Sequence, residues 1–152
     1  MIQRKQTVYL LAAVLLSVVC LCMQIGSFHI GELPAVKEYN LLLTESSGFH
    51  HFGSWPLFVV LTLSASVGVY TIFLYSNRIV QARFCVFCML LIIGWYILYA
   101  VLSKIMIADA RNVSFEPEWP GLLPMAALVF YFIARQAILA DEKLVRAADR
   151  IR

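Results

Sequence analysis

Cys85 and Cys88 stand three residues apart in the stretch RFCVFCML and share a face of any helix that carries them. Two thiols so placed can be half a metal site, an acylation target, or a redox pair at a helix start, where the dipole lowers a thiol pKa. They can equally be small apolar packing residues. Cys20 and Cys22 are two apart and point to different helix faces. Zinc holds thiolates at about 2.3 Å, and a disulfide needs Cα atoms within about 7 Å. Along their helices the two pairs differ in depth by roughly 15–20 Å at the 1.5 Å rise per residue, so one site cannot hold all four. The three histidines, His29, His50 and His51, lie in one segment with Glu32 and Glu45. Their spacing is neither HxH nor HxxxH, so we read them as solvated or interfacial residues and assign no metal, cofactor or catalytic residue.

The elements that must position these residues are apolar. Hydrophobic residues make up 62% of the 152 and charged residues 14%, against roughly 45–50% and about 25% in an average soluble domain. Four runs, about 8–25, 55–75, 84–102 and 121–139, have the roughly 20 residues needed to cross hydrocarbon about 30 Å thick. Their one charged residue is Arg135, near the end of the fourth. A soluble bundle needs a polar face on each helix, and these runs have none. The first run resembles a signal peptide, with Arg4 and Lys5 before it. It continues past Cys20 to Ile25, however, and Val19 is too large for a lipoprotein cleavage site, so we read an uncleaved span. The expected fold is an all-α four-helix transmembrane bundle, up-down-up-down, in one domain, with a short amphipathic cytoplasmic C-terminal helix in the tail 140–152.

Basic residues set the orientation. Arg4, Lys5, Arg78, Arg83, Arg135, Lys143, Arg146, Arg150 and Arg152 fall on one side. The loops 27–54 and 103–120 hold Lys37, Lys104 and Arg111 against six acids, including Glu38, Glu116 and Glu118. Both termini are therefore expected in the cytoplasm. The net charge of +3 combines a basic inner face, suited to anionic headgroups at about 1 kcal/mol per basic residue, with an acidic outer face. Nothing else points to nucleic acid. The second and fourth runs open alike, on Ser54-Trp55-Pro56 and Glu118-Trp119-Pro120. Trp favours the membrane interface, and Pro suits a first helical turn. The apolar stretch Tyr39–Leu43 is expected to cap the bundle or rest on the bilayer.

Ser64, Gly68 and Thr71 stack at helical spacing in SASVGVYT. Small residues on one face let helices approach closely, so we read a packing face. A lipophile groove is the alternative. No run has an ionisable residue at mid-depth, which argues against a pump. Small membrane disulfide oxidases and vitamin K epoxide reductases also carry CxxC, but they relay through cysteines in outer loops. Loops 27–54 and 103–120 have none, and the charge rule puts Cys85 and Cys88 on the reducing side.

The two ends, MIQRKQTVYLL at 1–11 and DEKLVRAADRIR at 141–152, resemble a bacterial family of small four-span membrane proteins described as a domain of unknown function. The resemblance implies a bacterial cytoplasmic (inner) membrane setting and carries no activity or site residues. It places Gln3, Arg4 and Gln6 on the same face as Glu142, Arg146, Asp149, Arg150 and Arg152. Within the tail, Glu142 can pair with Arg146 and Arg146 with Asp149. The expected function is that of a non-enzymatic scaffold or accessory subunit, acting through this patch on anionic lipid headgroups, a protein partner or a second copy of itself. The alternatives are a thiol-dependent oxidoreductase using Cys85 and Cys88, and a lipophile-binding or export protein using the Ser64 face.

Overall fold

The computed structural model describes residues 3–30, 36–44, 50–75, 77–109 and 113–149. Within them the apolar runs form helices α1 (Gln3–Cys22), α2 (Trp55–Phe73), α3 (Arg78–Asp109) and α4 (Leu123–Asp149). Three helical stretches, Trp55–Phe73, Arg78–Ile107 and Trp119–Ala147, are long and apolar enough to cross a membrane. The apolar part of α1 is shorter, Gln6–Cys22. Each helix buries one stripe at steps of three and four residues. In α1 it is Gln6, Leu10, Ala13, Ser17 and Cys20; in α2, Leu57, Leu61, Ser64, Gly68 and Thr71; in α3, Ala82, Cys85, Cys88, Ile92 and Trp95; in α4, Ala127, Tyr131, Ala134 and Ile138. The stripes face one another, since α1 packs against α2 and α4, and α3 packs against the same two.

Helix ends are locally encoded. Pro56 sits in the first turn of α2, where a missing N–H leaves nothing unpaired. After α2, Leu74 N bonds Thr71 O and Asn77 N bonds Leu74 O, and the amide of Gln81 then bonds Asn77 O to start α3. The Gln81 side chain also donates to Thr71 O at 3.1 Å, a second bond to that carbonyl that ties the start of α3 to the end of α2.

The expectation of an all-α chain needs correcting. The segments between helices build an antiparallel sheet from β1 (Gln24–Ile30), β2 (Val36–Tyr39), β3 (Leu43–Thr44), β4 (His50–His51) and β5 (Val113–Pro117), in the order β4-β3-β2-β1-β5. The interior strand β1, between β2 and β5, pairs Gly26 with Glu38 of β2 and with Pro117 of β5. Gly26 is obligatory there: a Cβ would stand 2.7 Å from the Phe115 ring and 3.1 Å from the Tyr99 hydroxyl. This strand ends the first helix at Cys22, so Gln24 and Ile25 belong to the sheet and not to a span reaching residue 25. The third run, 84–102, is the middle of the longer α3. The tail is not a separate helix, because α4 runs without interruption to Asp149 and no Pro or Gly follows Pro124 of its first turn as far as residue 149.

The sheet lies across one end of the helices, the sheet end. There Cys20, Ile25, Leu57, Leu61 and Trp95 form a core, and α3 runs on past it beside β5, with Tyr99 edge-on to Phe115. The other end, the tail end, gathers Gln6, Arg78 and Asp141.

Candidate functional site

Three sets of side chains could carry chemistry. The first is the thiol pair. Cys85 and Cys88 are consecutive members of the buried α3 stripe, both fully buried, and both are free thiols. Cys88 Sγ points to the Ser64 carbonyl at 3.7 Å, and Tyr131 of α4 lies beside it. The structure thus brings the thiol pair and the small-residue face together. Thr71 closes the other end of that face, its hydroxyl bonded to Val67 O at 2.7 Å. Cys20 is buried at the sheet end, while Cys22 is exposed. Among the described residues no three His, Cys, Asp or Glu side chains converge as metal ligands. A buried thiol is a poor nucleophile. A maleimide should therefore label Cys22 at least about tenfold faster than Cys20, Cys85 or Cys88 in the folded protein. Equal labelling on a mass-spectrometric time course would show the pair to be open.

The second set is the tail end. Gln6 is buried and donates to Ala137 O at 3.1 Å, joining α1 to α4. Arg78 reaches Asp141 at 3.8 Å, joining α3 to α4. Arg146 Nε donates to Glu142 at 2.9 Å on the surface. A groove of about 460 Å³ is lined by Ile79 of α3 and by Gln136, Leu139, Ala140, Glu142, Lys143 and Arg146 of α4. Of the expected patch, Gln6, Glu142 and Arg146 are placed here, but Gln6 is spent on helix packing and not presented to a partner. Gln3, Arg4 and Asp149 are placed as helical backbone, and Arg150 and Arg152 lie outside the described residues. Glu32 and Glu45 also lie outside them.

The third set is at the sheet end, in the turn expected to cap the bundle. Strand β2 and the residue after it send alternate side chains inward. Glu38 and Asn40 are fully buried, while Lys37 is exposed. Asn40 Nδ2 donates to Cys20 O at 2.8 Å, at the end of α1. Asn40 Oδ1 accepts from Trp95 Nε1 of α3 at 3.1 Å. Ser54, the residue before α2, makes no capping bond to that helix and donates its hydroxyl to Glu38 Oε1 at 3.3 Å. Tyr99 stacks on Trp95 at 5.2 Å between ring centroids and donates to Ile25 O at 2.8 Å. Glu38 Oε2 is buried with no hydrogen-bond partner. Burial pushes the Glu38 carboxyl up from 4.5 to about 7, against the opposing pull of the Ser54 hydroxyl.

Sequence reasoning missed this third set. It counted Glu38 as one acid in an outer loop and gave Trp95 and Tyr99 no place in a site. The available signal was the alternation Glu38-x-Asn40 in a short extended segment, but nothing in the sequence says which face of it is covered.

The chain matches the family described as Domain of unknown function (DUF4293) over residues 2–151. Comparison with the curated proteins finds no match.

Proposed function

The chain belongs to the DUF4293 family, and we propose that it is a non-enzymatic integral membrane protein, a scaffold or accessory subunit that works through a basic cytoplasmic face at its tail end. In this reading α1 is a fourth span, giving an up-down-up-down transmembrane bundle in a bacterial cytoplasmic membrane. Support for α1 comes from its outward face, where Val8, Leu11, Leu15 and Val18 are exposed, and from its packing between α2 and α4. In the same reading the basic residues of the tail end favour a cytoplasmic side for both termini, with the sheet facing outward.

The groove between the start of α3 and the end of α4 carries the proposal. Its lining combines apolar Ile79, Leu139 and Ala140 with basic Lys143 and Arg146. The acids nearby are already matched, Asp141 by Arg78 and Glu142 by Arg146. Lys143 has no ion-pair partner among the described residues. An exposed pair such as Glu142–Arg146 is worth only about 0.2–1 kcal/mol, so Arg146 can exchange it for an anionic headgroup or a partner's carboxylate.

The double variant Lys143→Glu, Arg146→Glu tests this. Native mass spectrometry of protein extracted gently from its own membrane should show a stoichiometric partner or anionic lipid on the wild type, reduced at least about tenfold in the variant. Undiminished co-purification, or a bare monomer carrying a quinone or metal, would overturn the scaffold reading.

A further inference from the structure

Two side chains, one from β2 and one from the residue after it, help fasten the sheet to the helices. Asn40 holds the end of α1 and the middle of α3 through Cys20 O and Trp95 Nε1. Glu38 holds the start of α2 through Ser54. The two fasteners differ in kind. Both polar atoms of the Asn40 amide are bonded and neither can titrate. The Glu38 carboxyl is fully buried, and one oxygen has no partner. A buried ionised carboxylate with one weak hydrogen bond is costly, whereas the neutral acid is tolerated. Ser54 has also been turned away from the capping bond that a serine before a helix ordinarily makes. The arrangement thus forgoes a local stabilisation of α2 to reach an acid that is comfortable only when neutral.

We propose that Glu38 is a proton-operated latch between the sheet and the helix ends, closed when its carboxyl is neutral and released when it ionises.

The surroundings offer the ionised form no counter-charge. On β1, the residue opposite is Gly26, and on β3 it is Leu43. The groups near it from the helices are the Ser54 hydroxyl and the Tyr99 phenol, and the other groups that act on Tyr99 are Cys20, Tyr96 and Glu118. All are neutral or acidic. Among the described residues no Lys, Arg or His forms an ion pair with Glu38. Among the described residues of the sheet, His29 of β1 and Glu116 of β5 also stand 3.7 Å apart, both exposed.

The direction follows from linkage. The docked carboxyl holds its proton up to about pH 7, whereas the undocked one loses it near the ordinary 4.5. Between these values the undocked state binds fewer protons, so raising the pH through the window favours release. Below 4.5 both states are protonated and above 7 both are ionised, so the effect is flat outside the window. Release would withdraw β2 and carry Asn40 off Cys20 and Trp95, uncovering the end of α1 and the indole. With the sheet facing outward, the latch would sample the pH outside the cytoplasm.

Hydrogen–deuterium exchange of the full chain in phosphatidylcholine nanodiscs tests the latch, with rates corrected for intrinsic pH dependence. Protection of the amides of Val36–Tyr39 and Gln24–Ile30 should fall roughly ten- to a hundredfold between about pH 5 and about pH 9. Glu38→Gln, neutral at every pH, should keep the low-pH protection throughout. His29→Gln should retain the wild-type profile. Infrared difference spectra of the wild type give a measurement that no variant's folding can confound. The band of a protonated carboxyl should vanish with the same midpoint as the loss of protection. A flat wild-type profile, an unchanged loss in Glu38→Gln, its abolition by His29→Gln, or no titrating carboxyl band would each overturn the proposal.

Discussion

Trp95→Ala should unfold the protein at markedly lower denaturant than any other single truncation in α3. Trp95 is fully buried, stacks on Tyr99, meets Tyr96 edge-on at 5.0 Å and donates to Asn40. Truncating a large core aromatic costs about 3–5 kcal/mol. Here the loss of the indole N–H also strands Asn40 Oδ1, a buried acceptor worth about 1–3 kcal/mol when orphaned. The two losses fall on one network, so they are not simply additive. Trp95→Phe separates them, because it keeps most of the ring volume and removes only the donor. Circular dichroism in detergent should show Trp95→Phe lowered by about 1–2 kcal/mol and Trp95→Ala by about 3 kcal/mol or more. Equal midpoints for the two variants would mean that packing at Trp95 contributes little. A wild-type midpoint for Trp95→Phe would mean that the bond to Asn40 does not hold the sheet.

The helices were legible because their signal is redundant. A run of about 20 apolar residues is visible from composition alone, and Pro56 marked a true helix start. The strands were not, for reasons particular to them. In β1 both faces are covered, since Ile25, Gly26, Ser27 and Phe28 are all buried. The period-two alternation that announces a half-exposed strand is therefore missing. Its partner β5 lies nearly ninety residues away in sequence, where no local pattern can point to it. The apolar run of α1 also continues into Ile25, so hydropathy overran the true end of the helix at Cys22.

The chemistry was legible to a different degree. Spacing placed Cys85 and Cys88 on one face, and burial decides what that face does. They fill the interior stripe next to Ser64 and Tyr131 and are held away from water. For Gln6 the sequence suggested a surface and the structure gives an interior bond, because a glutamine at a buried stripe position can satisfy a neighbouring helix's carbonyl. Glu38 was invisible as a site, because its interest lies in what covers it. Only the crossing of β2 over the ends of α1 and α2 turns an ordinary loop acid into a buried one.

Gly68→Ala, which would gain about 1 kcal/mol in an unpacked helix, should destabilise this protein. A Cβ at Gly68 would collide with the Tyr131 hydroxyl and stand 2.7 Å from Val14 Cγ2, so α1, α2 and α4 would have to separate to admit one methyl group. Overpacking of this kind costs about 1–3 kcal/mol, and Gly68→Leu should exceed that and abolish folding. Gly94 is the internal control, since a Cβ there meets nothing within 4 Å and Gly94→Ala should be neutral or stabilising. Tyr131→Phe is the diagnostic partner. The Tyr131 hydroxyl is buried and makes no geometrically sound hydrogen bond, so its removal alone should cost little. In Gly68→Ala, the same removal takes away the nearest obstacle and leaves Val14 in place. The double variant should therefore recover part, and not all, of the lost stability on a denaturant titration, a favourable coupling of about 0.5–3 kcal/mol. Strict additivity would mean that the close approach of α2 and α4 at Gly68 is not what Tyr131 fills. A stabilised Gly68→Ala would mean that the small-residue face is not a packing face, and would revive the groove for a lipophile there.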